Sequence, residues 1–365
     1  MGFSIGIIGL PNVGKTTIFN AITTVCAEAS NYPFCTIEPN VGVVPVKDER
    51  LEKIKDIIKT ETYLPTTIKF IDIAGLVRGA NKGEGLGNKF LSHIREVDGI
   101  AHVVRCFDLP EVVHVEGSID PIRDIEVIKT ELVLSDIEII ERRVEKLAKI
   151  NTPSAKKLLE VLKKLVEKLN TGDTVSENDA IFAILNEDEK SQIDELNLIS
   201  LKPMFYIANV SEKELKENSY LPKLLEYAVK EKREVVTISG RLEEEIVQFD
   251  EAERLSILNE YGIESEAIDR IIARGYKLLD LITFFTTARR ELKAWTLKKG
   301  EKAIKAAGKI HTDMERGFIR AEVIHYNDLL KAGSEQKARD LGLYRLEGKD
   351  YEIQDGDIVY FRFKV

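Results

Sequence analysis

Cysteine is scarce. The 365 residues hold three, Cys26, Cys35 and Cys106, with neither metal-ligand spacing nor the even count of a disulfide framework, which leads us to expect a reducing compartment. Positive charge is outweighed as well: 53 Lys and Arg against 62 Asp and Glu leave a formal net charge of -9. That balance argues against a general nucleic-acid coat while leaving room for local basic surface. No apolar run approaches the length of a membrane span. The first residues enter an apolar stretch with no charged leader or cleavable segment, and Met1-Gly2-Phe3-Ser4-Ile5-Gly6 lacks the hydroxyl residue that myristoylation requires at position 6. These absences make a cytoplasmic protein with no membrane partner the expectation. Internal repeats and low-complexity tracts are missing too. What remains is 44% apolar and 32% charged, a chain long enough for two or three domains, each with its own core.

The most informative stretch is Gly9-Leu10-Pro11-Asn12-Val13-Gly14-Lys15-Thr16, between the apolar run Ile5-Gly6-Ile7-Ile8 and the helical pattern that starts with Thr17. It fits G-x-x-x-x-G-K-[ST] at every fixed position and in the required strand-to-helix context. Two glycines let the backbone wrap a polyphosphate, and successive amide N–H groups and the new helix's positive end face the anion. Asn12, Val13, Gly14, Lys15, Thr16 and Thr17 therefore form the expected phosphate cradle. Lys15 reaches the outer phosphates, and the Thr16 hydroxyl goes to Mg²⁺.

Two further segments extend that site. Asn31 to Asn40 is bounded by prolines and reads as a loop, in which Thr36 is the candidate to complete the metal shell. The strand Thr67 to Asp72 ends in Asp72-Ile73-Ala74-Gly75, where an aspartate holds Mg²⁺ and the Gly75 N–H approaches the terminal phosphate. Glycines crowd Gly79 to Gly87, which opposes any fixed element there. Buried strands follow at 100–107, 204–210 and 234–238. After the second stands Asn209-Val210-Ser211-Glu212, where a guanine-binding protein would carry Asn-Lys-x-Asp. The lysine is absent and the carboxylate sits one methylene further out, so a clamp on guanine's two donors is misplaced, which favours ATP. Ser239 and Gly240, after the last strand, are placed to touch the base.

Between 107 and 204, Val133, Ile137, Ile140, Val144 and Leu147 recur at helical spacing, as do Leu158, Leu162, Leu165 and Leu169, with a turn at Asn151-Thr152-Pro153-Ser154. The pattern predicts an antiparallel, coiled-coil-like hairpin. Nine basic residues lie between Arg142 and Leu169 against three glutamates. This face is either RNA-binding or simply solvated, and composition alone does not separate the two. From about residue 280 short strands return. Asp355-Gly356 signals a turn before Val359, Phe361 and Phe363, which alternate with polar neighbours as in a half-buried strand.

Together, Gly9 to Thr16, Asn31 to Asn40, Asp72 to Gly75 with Gly83 to Leu91, and Asn209 to Glu212 resemble the YchF, or Obg-like ATPase, family. Ala307 to Asp313, Gly317 to Ala321 and Glu347 to Tyr351 are similar to that family's C-terminal TGS domain. The resemblance covers nearly the whole chain. It implies an α/β fold: a P-loop NTPase sheet of the GTPase type over 1–123 and 201–279, a helical coiled-coil insertion over 124–200 and a β-grasp TGS domain over 280–365. It also implies ATP hydrolysis and association with the ribosome or ribosomal RNA, on the large subunit, with no DNA partner.

Leu76 stands where Ras-like enzymes carry the glutamine that orients water, so intrinsic hydrolysis is expected to be slow. Three groups are candidates to supply what is missing. Asn12 resembles the phosphate-loop asparagine of K⁺-dependent relatives. His114 lies on a loop-like stretch within the region of family resemblance, and the third candidate is a partner such as the ribosome. Two alternatives stay open: a GTP-hydrolysing translational GTPase, and a nucleotide-gated ribosome-binding protein with negligible turnover.

Overall fold

The computed structural model describes residues 3–28, 37–38, 40–74, 86–172, 175, 179–288 and 291–364. The chain divides into two compact units, Ser4–Ile22 with Phe70–Ala267, and Met1–Phe3 with Thr23–Lys69 and Ile268–Val365.

In the first of these, a sheet runs in the order β2-β1-β3-β4-β5, with β1 at Ser4–Ile8, β2 at Thr67–Asp72, β3 at Gly99–Cys106, β4 at Met204–Val210 and β5 at Val235–Ile238. Pairing is parallel from β1 to β3, β3 to β4 and β4 to β5, in the register Ile7↔Ala101, Val103↔Ile207 and Ala208↔Thr237. Every residue of β3 is buried, as expected of a strand covered on both faces. All five strands point their carboxyl ends toward the same edge. That edge receives Gly9, Asp72, Phe107, Asn209 and Ser239, and it is where open α/β sheets bind ligands.

The helical insertion has the expected form. Helices α2 (Pro121–Leu147) and α3 (Pro153–Asn170) follow Asp120 and Thr152 N-caps and open on proline. Ile140, Leu147, Leu158, Leu162, Leu165 and Leu169 are buried in one core, with Val133, Ile137 and Val144 against it. Several of the basic residues are held by carboxylates: Arg142 by Glu138, Lys157 by Glu189, Lys164 by Glu160 and Lys168 by Asp179.

The second unit is built on a mixed sheet. Its labelled strands are β6 (Leu281–Ala288), β7 (Glu291–Lys298), β8 (Phe318–His325), β9 (Arg345–Glu347) and β10 (Asp357–Phe363). The order is β9-β8-β10-β6-β7, with Thr62–Leu64 added in parallel beyond β7. The parallel pairing of β10 with β6, flanked by antiparallel neighbours, is the β-grasp arrangement. Helix Ala303–Ile310 covers one face with Phe284, Leu297, Val323 and Val359.

The alternation in β10 is only half right. The opposite face is covered as well, because Leu51 and Ile54 of the helix Arg50–Ile58 and Leu329 of Tyr326–Ala332 pack on Phe285, Ile324 and Ile358. Arg50 fastens this layer, donating to Asp355 at 2.8 Å and to Asp48 at 2.7 Å while its guanidinium lies 5.2 Å from the Phe285 ring.

Candidate functional site

The phosphate loop takes its shape from two left-handed residues, Asn12 at φ 63° and Gly14 at φ 86°. Asparagine tolerates that conformation and glycine prefers it. Helix α1 (Lys15–Glu28) begins directly after, and its first backbone bond runs from the Ile18 N–H to the Gly14 carbonyl. The N–H groups before it have no helical acceptor, which is the arrangement that binds anions.

Three side chains meet beside this turn. Lys15 Nζ lies 2.5 Å from Asp72 Oδ1, and Thr16 Oγ1 donates to Asp72 Oδ2 at 3.1 Å. Lys15 and Asp72 are 10% and 7% exposed, so the pair is shielded from water. Asp72 is where β2 ends, as the sequence indicates. Thr36, Gly75 and Leu76 lie outside the described residues, and so does Cys35.

Asn209 is buried and fully employed. Its Nδ2 donates to the Val13 carbonyl at 2.9 Å, and its Oδ1 accepts the Gly240 N–H at 3.0 Å. It therefore ties the phosphate loop to the turn after β5. Val210 is buried in the core beneath β4, and the Ser239 hydroxyl caps the helix Gly240–Ile246 by accepting the Leu242 N–H. A role for either residue toward a base thus falls to its backbone. Glu212 lines a cleft of about 780 Å³ together with Asn12, Gly14, Thr17, Phe107 and Arg241. A cavity of that size suits a nucleotide.

His114 is placed differently from a group poised over the phosphates. Its Nδ1 accepts the Glu116 N–H at 3.1 Å, which puts the proton on Nε2, 2.8 Å from Asp124 Oδ2. Both ring nitrogens are engaged and the residue is buried. The neighbouring Val113 carbonyl accepts from Asn12 Nδ2 at 3.1 Å, so the loop carrying His114 is hydrogen-bonded to the phosphate loop.

Sequence reasoning missed Arg105. It is 1% exposed, donates from Nε to the Phe107 carbonyl at 3.1 Å and from Nη2 to the Val112 carbonyl at 3.0 Å, and stacks over the Phe107 ring at 4.6 Å. It folds the loop after β3 into the cleft wall. The available signal was a charge inside the apolar run Val103-Val104-Arg105-Cys106-Phe107, since a buried arginine must find acceptors. Asn218 plays a similar part, donating to the Cys106 carbonyl at 2.7 Å and accepting from the Tyr220 and Leu221 N–H groups.

Comparisons with known proteins bear on the fold and the family. A family profile described as 50S ribosome-binding GTPase matches residues 4–164, and one named YchF-GTPase_C, a protein of unknown function, matches residues 281–364. The solved structure of the Schizosaccharomyces pombe YchF GTPase superposes with a TM-score of 0.87 at 37% identity, covering 99% of this chain and 98% of that one. A GTP-binding protein from Pyrococcus horikoshii is alike in fold, with a TM-score of 0.63 at 22% identity over 99% of this chain and all of that one. Among curated relatives named ribosome-binding ATPase YchF, that of Bacillus subtilis is 48% identical and that of Haemophilus influenzae 50%, each over the whole of both chains. Identity of that order from end to end, on a GTPase-type sheet with the matching C-terminal unit, makes this chain a member of the YchF family.

Proposed function

We propose that the protein is a Mg²⁺-dependent P-loop NTPase that hydrolyses ATP to ADP and phosphate and reports its nucleotide state to the ribosome. The observation that carries this reading is the meeting of Lys15, Thr16 and Asp72 at the mouth of a nucleotide-sized cleft. A hydroxyl and a carboxylate side by side are the hard oxygen donors that Mg²⁺ takes, so the donor set fits the metal. Thr16 and Asp72 would hold it, with Thr36 as the further candidate. Bound there, Mg²⁺ supplies neutralisation of phosphate charge. The chain's own part is to hold the phosphates with the N–H groups of residues 13 to 17 and to place the Lys15 ammonium against the outer phosphates. It also keeps Asn209 under the loop, so that the cradle does not reorganise during the reaction.

The choice of ATP is supported by Glu212 and Val210 in place of the aspartate and lysine of a guanine clamp, and by the name ATPase on the curated relatives. The S. pombe relative is described as a GTPase, which supports the second reading, GTP. Equilibrium binding of labelled ATP and GTP decides between them. Hydrolysis far slower than any useful cycle, with equal ribosome affinity in every nucleotide state, would leave a nucleotide-gated binding protein.

For the attacking water we keep two groups. Asn12 Oδ1 is the atom a K⁺ would use, because Nδ2 is tied to Val113. Equal rates in K⁺ and Na⁺ would remove it. His114 needs its loop to release it from Asp124 and Glu116 before it can reach the phosphates, and full turnover in His114→Ala would dismiss it. Gly75 is retained as the backbone donor to the terminal phosphate.

The domain reading of 1–123 with 201–279, 124–200 and 280–365, the ribosomal large subunit as partner and a cytoplasmic location belong to the same proposal. Among the described residues no helix is long and apolar enough to cross a membrane. Co-sedimentation with ribosomes in ATP, ADP and nucleotide-free states tests the partner.

A further inference from the structure

Arg105 carries a donor that its loop does not use. Nε and Nη2 go to the Phe107 and Val112 carbonyls, but Nη1, equally buried, has no hydrogen-bond partner among the described residues. A dry, idle donor on a charged group is costly and calls for an explanation. Burial works against the guanidinium charge, and the charges of Asp108 and Asp124 work for it. Asp108 is exposed to water, whereas Asp124 is 2% exposed.

Asp124 divides its two oxygens. Oδ1 accepts from Arg123, at 2.9 Å from Nη2 and 3.3 Å from Nε, and among the described residues Oδ2 accepts from His114 Nε2 alone. Arg105 and Asp124 make no direct bond in this arrangement. The loop between β3 and α2 is lightly held. From Asp108 to Gly117 His114 is the one buried residue, and Val113 and Val115 on either side of it are exposed. Three side chains hold successive residues: Arg105 the Val112 carbonyl, Asn12 that of Val113, and Asp124 the His114 ring. When His114 leaves, Asp124 Oδ2 stays buried and ionised without a donor, which by itself would keep the loop closed.

We propose that Arg105 is a positioning residue for hydrolysis: as the loop lifts, its guanidinium leaves the Val112 carbonyl and takes the Asp124 oxygen that His114 gives up. The exchange rests on the reading above in which His114 is released toward the phosphates. It leaves no buried charge without a partner. Nη1, now idle, and Nη2, freed with Val112, turn together to a carboxylate, and a guanidinium binds a carboxylate more strongly than a carbonyl. Nε keeps the Phe107 carbonyl, so the base of the loop stays fixed while its tip moves. A guanidinium that only braced the closed loop would gain nothing from a dry third donor.

A double-mutant cycle on the full chain, with Arg105→Gln and Asp124→Asn, tests the exchange through single-turnover ATP hydrolysis at saturating nucleotide, nucleotide affinity and urea stability. Each single variant should slow hydrolysis about tenfold at unchanged nucleotide affinity, the low end for a charge-assisted bond. The double variant should be no slower than the singles, because both remove the same pair. Stability losses should instead add, since the two side chains are not bonded in the closed arrangement. Arg105→Lys, which keeps a charge for Asp124, should recover part of the rate. Should the glutamine variant not fold, the lysine variant takes its place in the cycle with the same outcomes. Rate losses that multiply to about a hundredfold in the double variant, or a wild-type rate in Arg105→Gln, overturn the proposal. His114→Ala separates the two readings. Full turnover in that variant removes the His114 reading and the exchange with it, whereas lost turnover there, beside rate losses that multiply in the cycle, removes the exchange alone.

Discussion

A β-carbon placed on residue 14 would lie 2.1 Å from Asn209 Nδ2, so the phosphate loop and the end of β4 are fitted together with no space for a side chain between them. Gly14→Ala is therefore blocked twice, by that contact and by a φ of 86° that costs an L-residue roughly 1–2 kcal/mol. Nucleotide affinity is expected to fall at least about fivefold, in line with that strain alone. Trimming the neighbour should not restore it, because Gly14→Ala with Asn209→Ala keeps the strained φ. A double variant that bound labelled nucleotide like the wild type would show that this fit is not what shapes the loop.

Asn209 alone makes a separate case. Asn209→Ala leaves the Val13 carbonyl and the Gly240 N–H buried without their partner, and each such group costs about 1–3 kcal/mol. Urea unfolding should register a loss of about 2–6 kcal/mol in the stability of the sheet unit, on the same basis. Asn209→Asp keeps the bond from Gly240 but sets an oxygen against the Val13 carbonyl, so it should do no better than alanine. Wild-type stability in either variant would contradict the bridging role.

The Lys15–Asp72 pair gives a test of the metal reading. Charge-assisted bonds contribute about 1.5–3 kcal/mol, so Lys15→Ala should lose about 10- to 100-fold in nucleotide affinity. Asp72→Asn retains shape but removes the carboxylate, and its nucleotide affinity should no longer tighten when Mg²⁺ is added. Isothermal titration with and without the metal reads both effects. An Asp72→Asn protein that still gained affinity from Mg²⁺ would move the metal site elsewhere.

What could be read from the chain alone was what is local. The loop Gly9 to Thr16 and the strand-end Asp72 carry their motif in adjacent residues, and the stripes of α2 and α3 carry their packing in a 3.6-residue period. Contacts between distant segments left no such trace. Arg50 meets Asp355 across most of the chain, and the helix Arg50–Ile58 covers the face of the β-grasp sheet that alternation in β10 assigned to solvent. Asn209 was recognised by position, yet its side chain holds the backbone of the loop and of Gly240. A motif gives a residue's place in the chain, and only the fold gives its hydrogen-bond partners. His114 followed the same pattern, since nothing between Val112 and Gly117 announces the carboxylate of Asp124 that accepts from its ring.

Cys106 closes β3 inside the core, and burial, followed by the negative charges of Asp124 and Glu214, pushes its thiol up to about 12. The thiolate is the reactive form, so this residue should be inert at neutral pH. Of the three cysteines no more than two should react with a disulfide reagent in the native protein at pH 8, and all three after unfolding. Peptide mapping should find Cys106 among the unlabelled residues. Labelling of Cys106 at a rate like that of a free thiol would mean that β3 opens to solvent.

His102 sits in the middle of the same strand, in register with Ile8 and Tyr206 and edge-on to the Tyr206 ring. Burial lowers its imidazole to about 3 from an ordinary value of 6.5, because no compensating charge accompanies it into the core. Between those two values the unfolded chain binds a proton that the native chain refuses, so stability rises with pH there and is lost as pH falls below 6.5. The slope reaches about 1.4 kcal/mol per pH unit, or about 2 kcal/mol between pH 6.5 and pH 5. In His102→Leu this contribution disappears, while the carboxylates that titrate at lower pH are common to both proteins. Urea unfolding at pH 7 and pH 5 should therefore show the wild type losing about 2 kcal/mol more than the variant, by the same linkage. Parallel losses in the two proteins would mean that His102 takes up its proton without leaving the fold, and that the interior around Tyr206 is wetter than its packing implies.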